Sequence, residues 1–269
     1  MTLMDPRHPH DLAKLTWPEA QALFDRQAVA ILPVGSTEPH GPHLPLDTDV
    51  TIAHAQARRT AEKLHAAGVP CFVLPPLAYG LVEYTAGFAG RVSLNPGTLW
   101  NLVDDILKSL AIQGLERAIV VNAHLEPAHV QILRGVMIDH HAPGEKRMHA
   151  VFVDVTRRKL AERLGAEFQS GDCHAGSYET SLVMAADPGS VREQARTHLP
   201  EVRIHLLERM KDGVTSFAKA GADQAYCGAP AAASVAEGQA LIETLSDAAV
   251  SAAREAWPQL FGHEGQWNM

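Results

Sequence analysis

Four short runs of apolar residues limit the possible folds of this 269-residue chain more than any other feature. Each run is continuous rather than alternating and is bounded by turn-forming residues, which indicates strands buried on both faces. Patterns with helical periodicity lie between the runs, and such alternation is typical of a parallel sheet with helical crossovers. The predicted strands span residues 28–34, 70–74, 118–121 and 150–155, and the predicted helices span residues 49–67, 97–113, 127–140, 177–185 and 232–253.

These elements predict the α/β class, with a mainly parallel sheet in a three-layer α/β/α arrangement. No internal repeat, low-complexity linker or change of composition marks a boundary, so the sequence predicts a single domain over residues 1–269. Two irregular stretches that contain proline and glycine, residues 74–95 and 219–230, are predicted to be loops that reach over a site.

The composition excludes several classes of protein. Apolar residues make up 46% of the chain and charged residues 20%, which is typical of a globular protein. The net charge is −8 and no basic stripe is present, so we expect no nucleic-acid partner. No apolar run approaches the roughly 18 residues of a membrane span, and the first residues are too polar for a signal peptide, which predicts a cytoplasmic protein without a membrane partner. Three cysteines without CxxC spacing predict reduced thiols: Cys71, Cys173 and Cys227.

The segment GSTEPHGPHLPLDTD follows the first predicted strand, where ligands gather in open α/β sheets. Glu38 and His40 are two residues apart, and the proline between them favours an extended conformation at Glu38. Extended residues at this spacing point the same way, so the carboxylate and the imidazole can converge. Asp47 and Asp49 follow just before a predicted helix, and spacing alone leaves either of them open as a ligand or as a helix cap.

The segment VVNAHLEPAHV follows the third predicted strand and repeats this arrangement with His124 and Glu126. Mixed imidazole and carboxylate ligands suit Zn²⁺ or Mn²⁺ better than Ca²⁺ or Mg²⁺. The candidate ligands are more than a single tetrahedral ion needs, but they suit two divalent metal ions that share a carboxylate. The alternative is a chance pairing of residues in surface turns, and His43 and His129 are predicted to have supporting or surface roles.

The segment GDCHAGSYETS contains residues that a metal centre of this size does not need. His174 is a candidate general acid that protonates a leaving nitrogen, because an unperturbed imidazole titrates near neutral pH. Glu179 could orient that imidazole or could favour the start of a helix. Cys173 lacks the partners of a catalytic thiol, and an esterase built on Ser36 or Ser177 lacks the GxSxG motif.

At these three segments the sequence resembles the creatininase (creatinine amidohydrolase) family. The resemblance spans nearly the whole chain, through GSTEPHGPHLPLDTD, NAHLEPAH, HAGSYETS and a weaker YCGAPAAASVAEG. It implies that one metal ion is held by Glu38, Asp49 and His124. It implies that the other is held by His40, Asp49 and Glu126, so that Asp49 bridges the two ions.

The resemblance also implies a role as proton carrier for His174, a creatininase-like α/β fold and a closed homo-oligomer, commonly a hexamer. Two departures bear on the substrate. None of the four tryptophans lies in residues 165–173, near the candidate catalytic histidine, which argues against creatinine itself. Many relatives read EHxxFPGT where this chain reads YTAGFAGR. Tyr84 and Arg91 are therefore candidate substrate-binding residues, with an ordinary surface arginine as the alternative for Arg91.

The sequence thus predicts an enzyme that uses two divalent ions to hydrolyse a C–N bond of a small cyclic or linear amide. Two alternatives within the family remain open, a deformylase or a peptidase. The family also includes a hydrolase of a keto-inositol that acts on a carbon–carbon bond. A non-catalytic metal-binding scaffold is the alternative from another class, and His174, which no metal needs, favours the enzyme.

Overall fold

The computed structural model describes residues 10–144 and 146–262, and within them four strands form one sheet. The order is β2-β1-β3-β4 and every neighbouring pair is parallel. The predicted α/β class and parallel sheet are therefore confirmed. The strands are β1 (Val29–Val34), β2 (Cys71–Val73), β3 (Arg117–Asn122) and β4 (His149–Val153).

The five predicted helices are all present, and each begins and ends within three residues of its predicted bounds. Six shorter helices within the described ranges were not predicted, because most are too short to show a periodic apolar pattern. The helices are α1 (Trp17–Phe24), α2 (Thr48–Ala66), α3 (Pro96–Ile112), α4 (Pro127–Asp139), α5 (Arg158–Ala161), α6 (Ala166–Ser170), α7 (Ser177–Ala186), α8 (Glu193–Arg196), α9 (Leu206–Lys211), α10 (Phe217–Ala220) and α11 (Val235–Ala256).

The sheet is covered by helices on both faces, which gives the predicted three layers. Successive side chains of a strand point to opposite faces, and β1 is buried along its whole length. Its Leu32 and Val34 belong to the core cluster that includes residues of α3 and α4, whereas Val29 and Ile31 pack with residues of α2 and α11. Each such aliphatic side chain contributes about 2 kcal/mol on burial.

Helices α7 and α11 pack so closely that only glycine fits at one position. A Cβ added to Gly238 would lie 1.8 Å from the carbonyl oxygen of Ser181. We expect Gly238→Ala to lower the free energy of unfolding by about 3 kcal/mol, because the clash is with backbone. Urea denaturation measures this. The exposed neighbour Gln239→Ala is the control, with an expected change within about 0.5 kcal/mol. Equal stability of the two variants would contradict the close packing.

Some predictions concern residues beyond the described ranges. The predicted single domain includes residues 1–9, 145 and 263–269, and Trp267 and the polar first residues also lie outside the described residues. Among the helices that the structure describes, none has both the length and the apolar character needed to cross a membrane.

Candidate metal centre and active site

The candidate site lies where β1 and β3 end, at the carboxyl edge of the parallel sheet. Close approach of the chain after β1 to the start of α2 depends on Gly35, where a Cβ would lie 2.6 Å from the backbone nitrogen of Val50. This approach brings Ser36 next to Asp49, and its hydroxyl donates a hydrogen bond of 2.7 Å to Asp49 Oδ2. Asp49 lies in the first turn of α2, where the helix dipole favours a negative charge.

The first set of candidate ligands joins the two strand ends. His124 Nδ1 lies 2.8 Å from Glu38 Oε1 and 3.1 Å from Asp49 Oδ2. The other nitrogen of the same ring, Nε2, donates a hydrogen bond of 2.6 Å to the carbonyl oxygen of Leu81. Thr85 Oγ1 donates to Glu38 Oε2 at 3.2 Å. The loop of residues 74–95 thus orients both a carboxylate and an imidazole of this set.

The second set of candidate ligands uses the other oxygen of Asp49. His40 Nε2 lies 3.2 Å from Asp49 Oδ1 and 3.5 Å from Glu179 Oε2. Its Nδ1 donates a hydrogen bond of 3.0 Å to the backbone carbonyl of Glu38. The Asp49 carboxylate therefore stands between the two imidazoles, with one oxygen near each.

The electrostatics of the cluster show a strong demand for positive charge. Burial lowers the pKa of His40, but the neighbouring Asp49 carboxylate outweighs it and the pKa rises to about 10. Burial also opposes the charged form of His124, and Glu38 raises its pKa well above the usual value. Burial raises the pKa of Asp49 and the His40 imidazole lowers it, with a net pKa well below the usual range. Among the described residues, no lysine or arginine nitrogen lies within 4.0 Å of these carboxylates.

The donor set fits divalent cations. Each imidazole donates one N–H to a backbone carbonyl and turns its other nitrogen toward carboxylate oxygens, an arrangement that orients histidine ligands of metals. His40 Nε2 is buried without a hydrogen-bond partner among the described residues, as expected for a nitrogen reserved for a cation. Within those residues, three sets place one ligand atom each within 4.8 Å of the others: Glu38, Asp49 and His124; His40, Asp49 and Glu179; and Glu38, His40 and His174.

His174 lies beside this cluster and is held by several contacts. Its Nε2 donates a hydrogen bond of 3.0 Å to the carbonyl oxygen of Pro39, and its ring stacks on Phe217 with centroids 4.3 Å apart. Its Nδ1 lies 4.0 Å from Glu179 Oε2, which accepts a hydrogen bond of 2.7 Å from the backbone of Ala175. Burial lowers the pKa of His174 to about 4 and raises the pKa of Glu179 to about 8. Both side chains line the same cavity as the cluster.

Glu126, predicted as a ligand, lies outside the three sets found in the described residues. Its Oε2 accepts hydrogen bonds of 2.7 and 3.2 Å from the backbone nitrogens of Glu83 and Tyr84. Its Oε1 has no hydrogen-bond partner among the described residues. Glu126 nevertheless lines the same cavity as Asp49, so one of its oxygens is anchored by the loop while the other is available to a ligand.

A cavity of about 410 Å³ opens from the cluster toward solvent. Carboxylates and imidazoles of the cluster line part of it, and most of its lining surface is apolar. The tryptophans that the structure describes do not line it. Its aromatic lining residues are Tyr84, Phe168 and Phe217, and its aliphatic or sulfur-containing ones include Val130, Leu206, Leu207 and Met210.

The two predicted substrate-binding residues differ in position. Tyr84 lines the cavity, and its hydroxyl donates a hydrogen bond to the carbonyl oxygen of Val214. Arg91 does not line it. Its Nη1 donates to the carbonyl oxygen of Val82 at 2.7 Å and pairs with Glu83 at 3.1 Å. Arg91 thus supports the loop that anchors Glu126, while its predicted contact with substrate remains a prediction.

Two further buried histidines form hydrogen bonds to residues near the cluster. His43 is buried, with its Nε2 2.9 Å from the hydroxyl of Thr180. His129 is also buried, with its Nε2 3.0 Å from Asn122 Oδ1 and its Nδ1 accepting a hydrogen bond from Leu81 N. Neither belongs to the ligand sets among the described residues, so both fit the supporting role predicted for them.

Several contributors to the site were missed by sequence reasoning. Ser36 and Thr85 hold the ligand carboxylates, and the carbonyl of Leu81 holds an imidazole. Phe217 stacks on the ring of His174, and Arg134 lines the cavity. The position of Ser36 shortly after a buried strand could have indicated that it lies at the site. The other contacts join residues far apart in the sequence, and no sequence pattern indicates them.

A parallel α/β fold with a buried carboxylate–imidazole cluster at its strand ends is the arrangement expected of a metal-binding enzyme. The family model described as creatinine amidohydrolase matches residues 13–253 of the chain. The chain belongs to the creatininase family, and it is a hydrolase of that family, whose amidohydrolases act on carbon–nitrogen bonds other than peptide bonds.

Named relatives agree with this assignment. The chain is 31% identical over 228 residues to the mycofactocin precursor peptide peptidase of Mycobacterium ulcerans, covering 82% of each chain. It is 31% identical over 195 residues to the creatinine amidohydrolase of Pseudomonas putida, covering 67% of this chain and 73% of the relative. Its fold matches a solved manganese form of creatininase with a TM-score of 0.69, at 23% identity and with 93% of this chain and 99% of the other covered.

Proposed function

We propose that the chain is a dinuclear-metal amidohydrolase that cleaves a C–N bond of a small cyclic or linear amide. One observation carries the proposal: the two oxygens of Asp49 each face a different imidazole, His124 and His40. Each of these imidazoles is fixed by a backbone carbonyl on its other nitrogen. A bridging carboxylate between two oriented histidines suits two ions better than one.

We propose the following ligands. Glu38, Asp49 and His124 hold one ion, and His40, Asp49 and Glu126 hold the other. The mixed nitrogen and oxygen donors suit Zn²⁺ or Mn²⁺. One solved creatininase structure of the same fold is a manganese form.

Divalent ions bound there would lower the pKa of water and polarise the carbonyl group of a substrate. The protein itself supplies the orientation and the proton transfer. His174 accepts a proton from the attacking water at Nδ1, on the side of Glu179, and donates the same proton to the departing nitrogen, while its Nε2 keeps its hydrogen bond to the carbonyl oxygen of Pro39. Phe217 keeps the imidazole flat against the cavity wall and excludes water from that side.

The runner-up functions use the same site. A peptidase is supported by the named relatives that process a peptide, and a cavity with a mostly apolar lining accommodates side chains. A deformylase needs the same attack on a carbonyl carbon. Metal-loaded protein assayed with lactams, formamides and short peptides separates these functions. Turnover of lactams or other small amides is the expected result, and cleavage of peptides alone would contradict the proposal.

The roles of Glu126 and Glu179 can be separated by counting metal ions. We expect Glu126→Gln to lower the content from about two ions per chain to about one, because a neutral amide is a poor ligand. Glu179→Gln is the matched variant, expected to keep both ions and to slow turnover. Elemental analysis after dialysis measures the content. Loss of an ion from Glu179→Gln, with both retained in Glu126→Gln, would reverse the assignment of these two carboxylates.

Assembly and location complete the proposal. We propose a homo-oligomer, with the hexamer common in the family as the expected state, and a cytoplasmic location. Light scattering of the purified protein tests the assembly, and a monomer at micromolar concentration would contradict it.

A further inference from the structure

One face of α4 forms a wall of the cavity and carries an arginine. Pro127, Val130, Gln131 and Arg134 all line the cavity, and their spacing places them on a single helical face. Glu126 immediately precedes the helix, and Arg134 is eight residues further along the chain. At the rise of an α-helix, the Cα atoms of these two residues are about 12 Å apart along the helix axis. The cavity thus extends from the proposed metal ligands to a guanidinium group.

Arg134 is held in place but keeps part of its positive charge available. Its Nε donates a hydrogen bond of 2.8 Å to Asp154 Oδ2. Its Nη2 lies 2.7 Å from the same oxygen and donates a hydrogen bond of 2.8 Å to Thr156 Oγ1. Its Nη1 has only a contact of 3.4 Å with Gln131 Oε1. Arg157 Nε also binds Asp154 Oδ2, at 2.9 Å. Because one carboxylate serves two guanidinium groups, Arg134, Arg157 and Asp154 together carry a net positive charge.

The cavity is lined by the carboxylates of the cluster and by apolar side chains such as Phe168, Leu207 and Met210. Among the described residues that line it, Arg134 is the single lysine or arginine. A planar guanidinium with a weakly occupied nitrogen is suited to a carboxylate.

We propose that Arg134 binds a carboxylate at the end of the substrate remote from the bond that is cleaved. This inference rests on the proposed function and names the substrate class: an amide with an apolar body that ends in a carboxylate. That carboxylate belongs either to the C-terminus of a short peptide or to a small aliphatic acid, and both present the same group to Arg134.

The test uses a ligand with two different ends. Suberic acid monohydroxamate carries a metal-binding hydroxamate at one end of an apolar chain and a carboxylate at the other. Its ω-amide differs in the carboxylate alone. Calorimetry with Mn²⁺-loaded protein is expected to show about tenfold tighter binding of the acid, the effect of one charge-assisted contact at a partly exposed site. A second pair carries the hydroxamate on a succinyl group that acylates leucine, so that the other end is the C-terminal carboxylate of leucine or, in its partner, the leucinamide. The larger ratio of the two pairs identifies the aliphatic or the peptide source.

Two arginine variants locate the effect. Arg134→Gln is expected to remove the preference for the acid while leaving affinity for the amide unchanged, which also shows that the variant is folded. Arg157→Gln is the matched control, because Arg157 binds the same Asp154 but does not line this cavity, and it is expected to keep the preference.

The outcomes separate this inference from the proposed function. Equal binding of acid and amide by the unmodified protein, or a preference that persists in Arg134→Gln, would overturn the role of Arg134 alone. Failure of both hydroxamates to bind would overturn the dinuclear metal centre and the inference together.

Discussion

Asp49→Asn is expected to lower the bound metal from about two ions per chain to about zero and to reduce turnover below detection. Asp49 presents one oxygen to His124 and the other to His40, so both ligand sets lose their common member in this variant. The side chain is almost fully buried, and an amide there keeps the volume but cannot supply the negative charge. Elemental analysis and an assay of the same preparation measure both losses.

Asp47→Asn provides the control on the same turn. Asp47 is exposed, precedes α2 and makes no capping hydrogen bond with its side chain. We expect normal metal content and normal turnover, because its charge lies outside the ligand sets of the described residues. A loss of metal from Asp47→Asn equal to that from Asp49→Asn would contradict the assignment of the bridge to Asp49.

His174→Gln is expected to keep both ions while its turnover falls by about 100-fold or more, the effect of removing a positioned proton carrier. The imidazole is fixed by Pro39 and Phe217, and its Nδ1 faces Glu179. Steady-state kinetics together with metal analysis distinguish a proton carrier from a ligand. His174 lies within 4.8 Å of ligand atoms of Glu38 and His40, so loss of an ion from this variant would place it among the ligands.

Cys173→Ser is the matched control beside His174. Cys173 also lines the cavity, but burial raises the pKa of its thiol well above the usual value, which keeps it protonated and unreactive at neutral pH. We expect turnover close to that of the unmodified protein. A fall as large as that of His174→Gln would indicate a catalytic thiol, which the sequence argues against.

Much of the fold could be predicted because its signals are local. The continuous apolar runs located β1 to β4, and the periodic segments located α2, α3, α4, α7 and α11. The short helices between residues 158 and 220 could not be predicted, since a helix of one or two turns is stabilised by contacts rather than by its own pattern. Some of these residues, including Leu206 and Phe217, line the cavity, so their positions affect the shape of the site.

The candidate site was predictable to the extent that its residues follow strands. Glu38, His40 and Asp49 follow β1, and His124 follows β3, so their meeting at one edge of the sheet is a consequence of parallel topology. Spacing could not choose between Asp47 and Asp49. The structure places Asp49 against both imidazoles because Gly35 allows the chain to approach the start of α2.

Residue type and order by themselves determined the α/β class, the parallel sheet and the pairs of imidazole and carboxylate at its edge, because these depend on periodicity and on spacing within a few residues. Tertiary structure alone decided which oxygen of Asp49 faces which histidine, how the loop of residues 74–95 anchors Glu126, and where Arg134 lies relative to the cluster. Those relations join residues tens of positions apart, and their geometry is set by packing between layers, which no local pattern specifies.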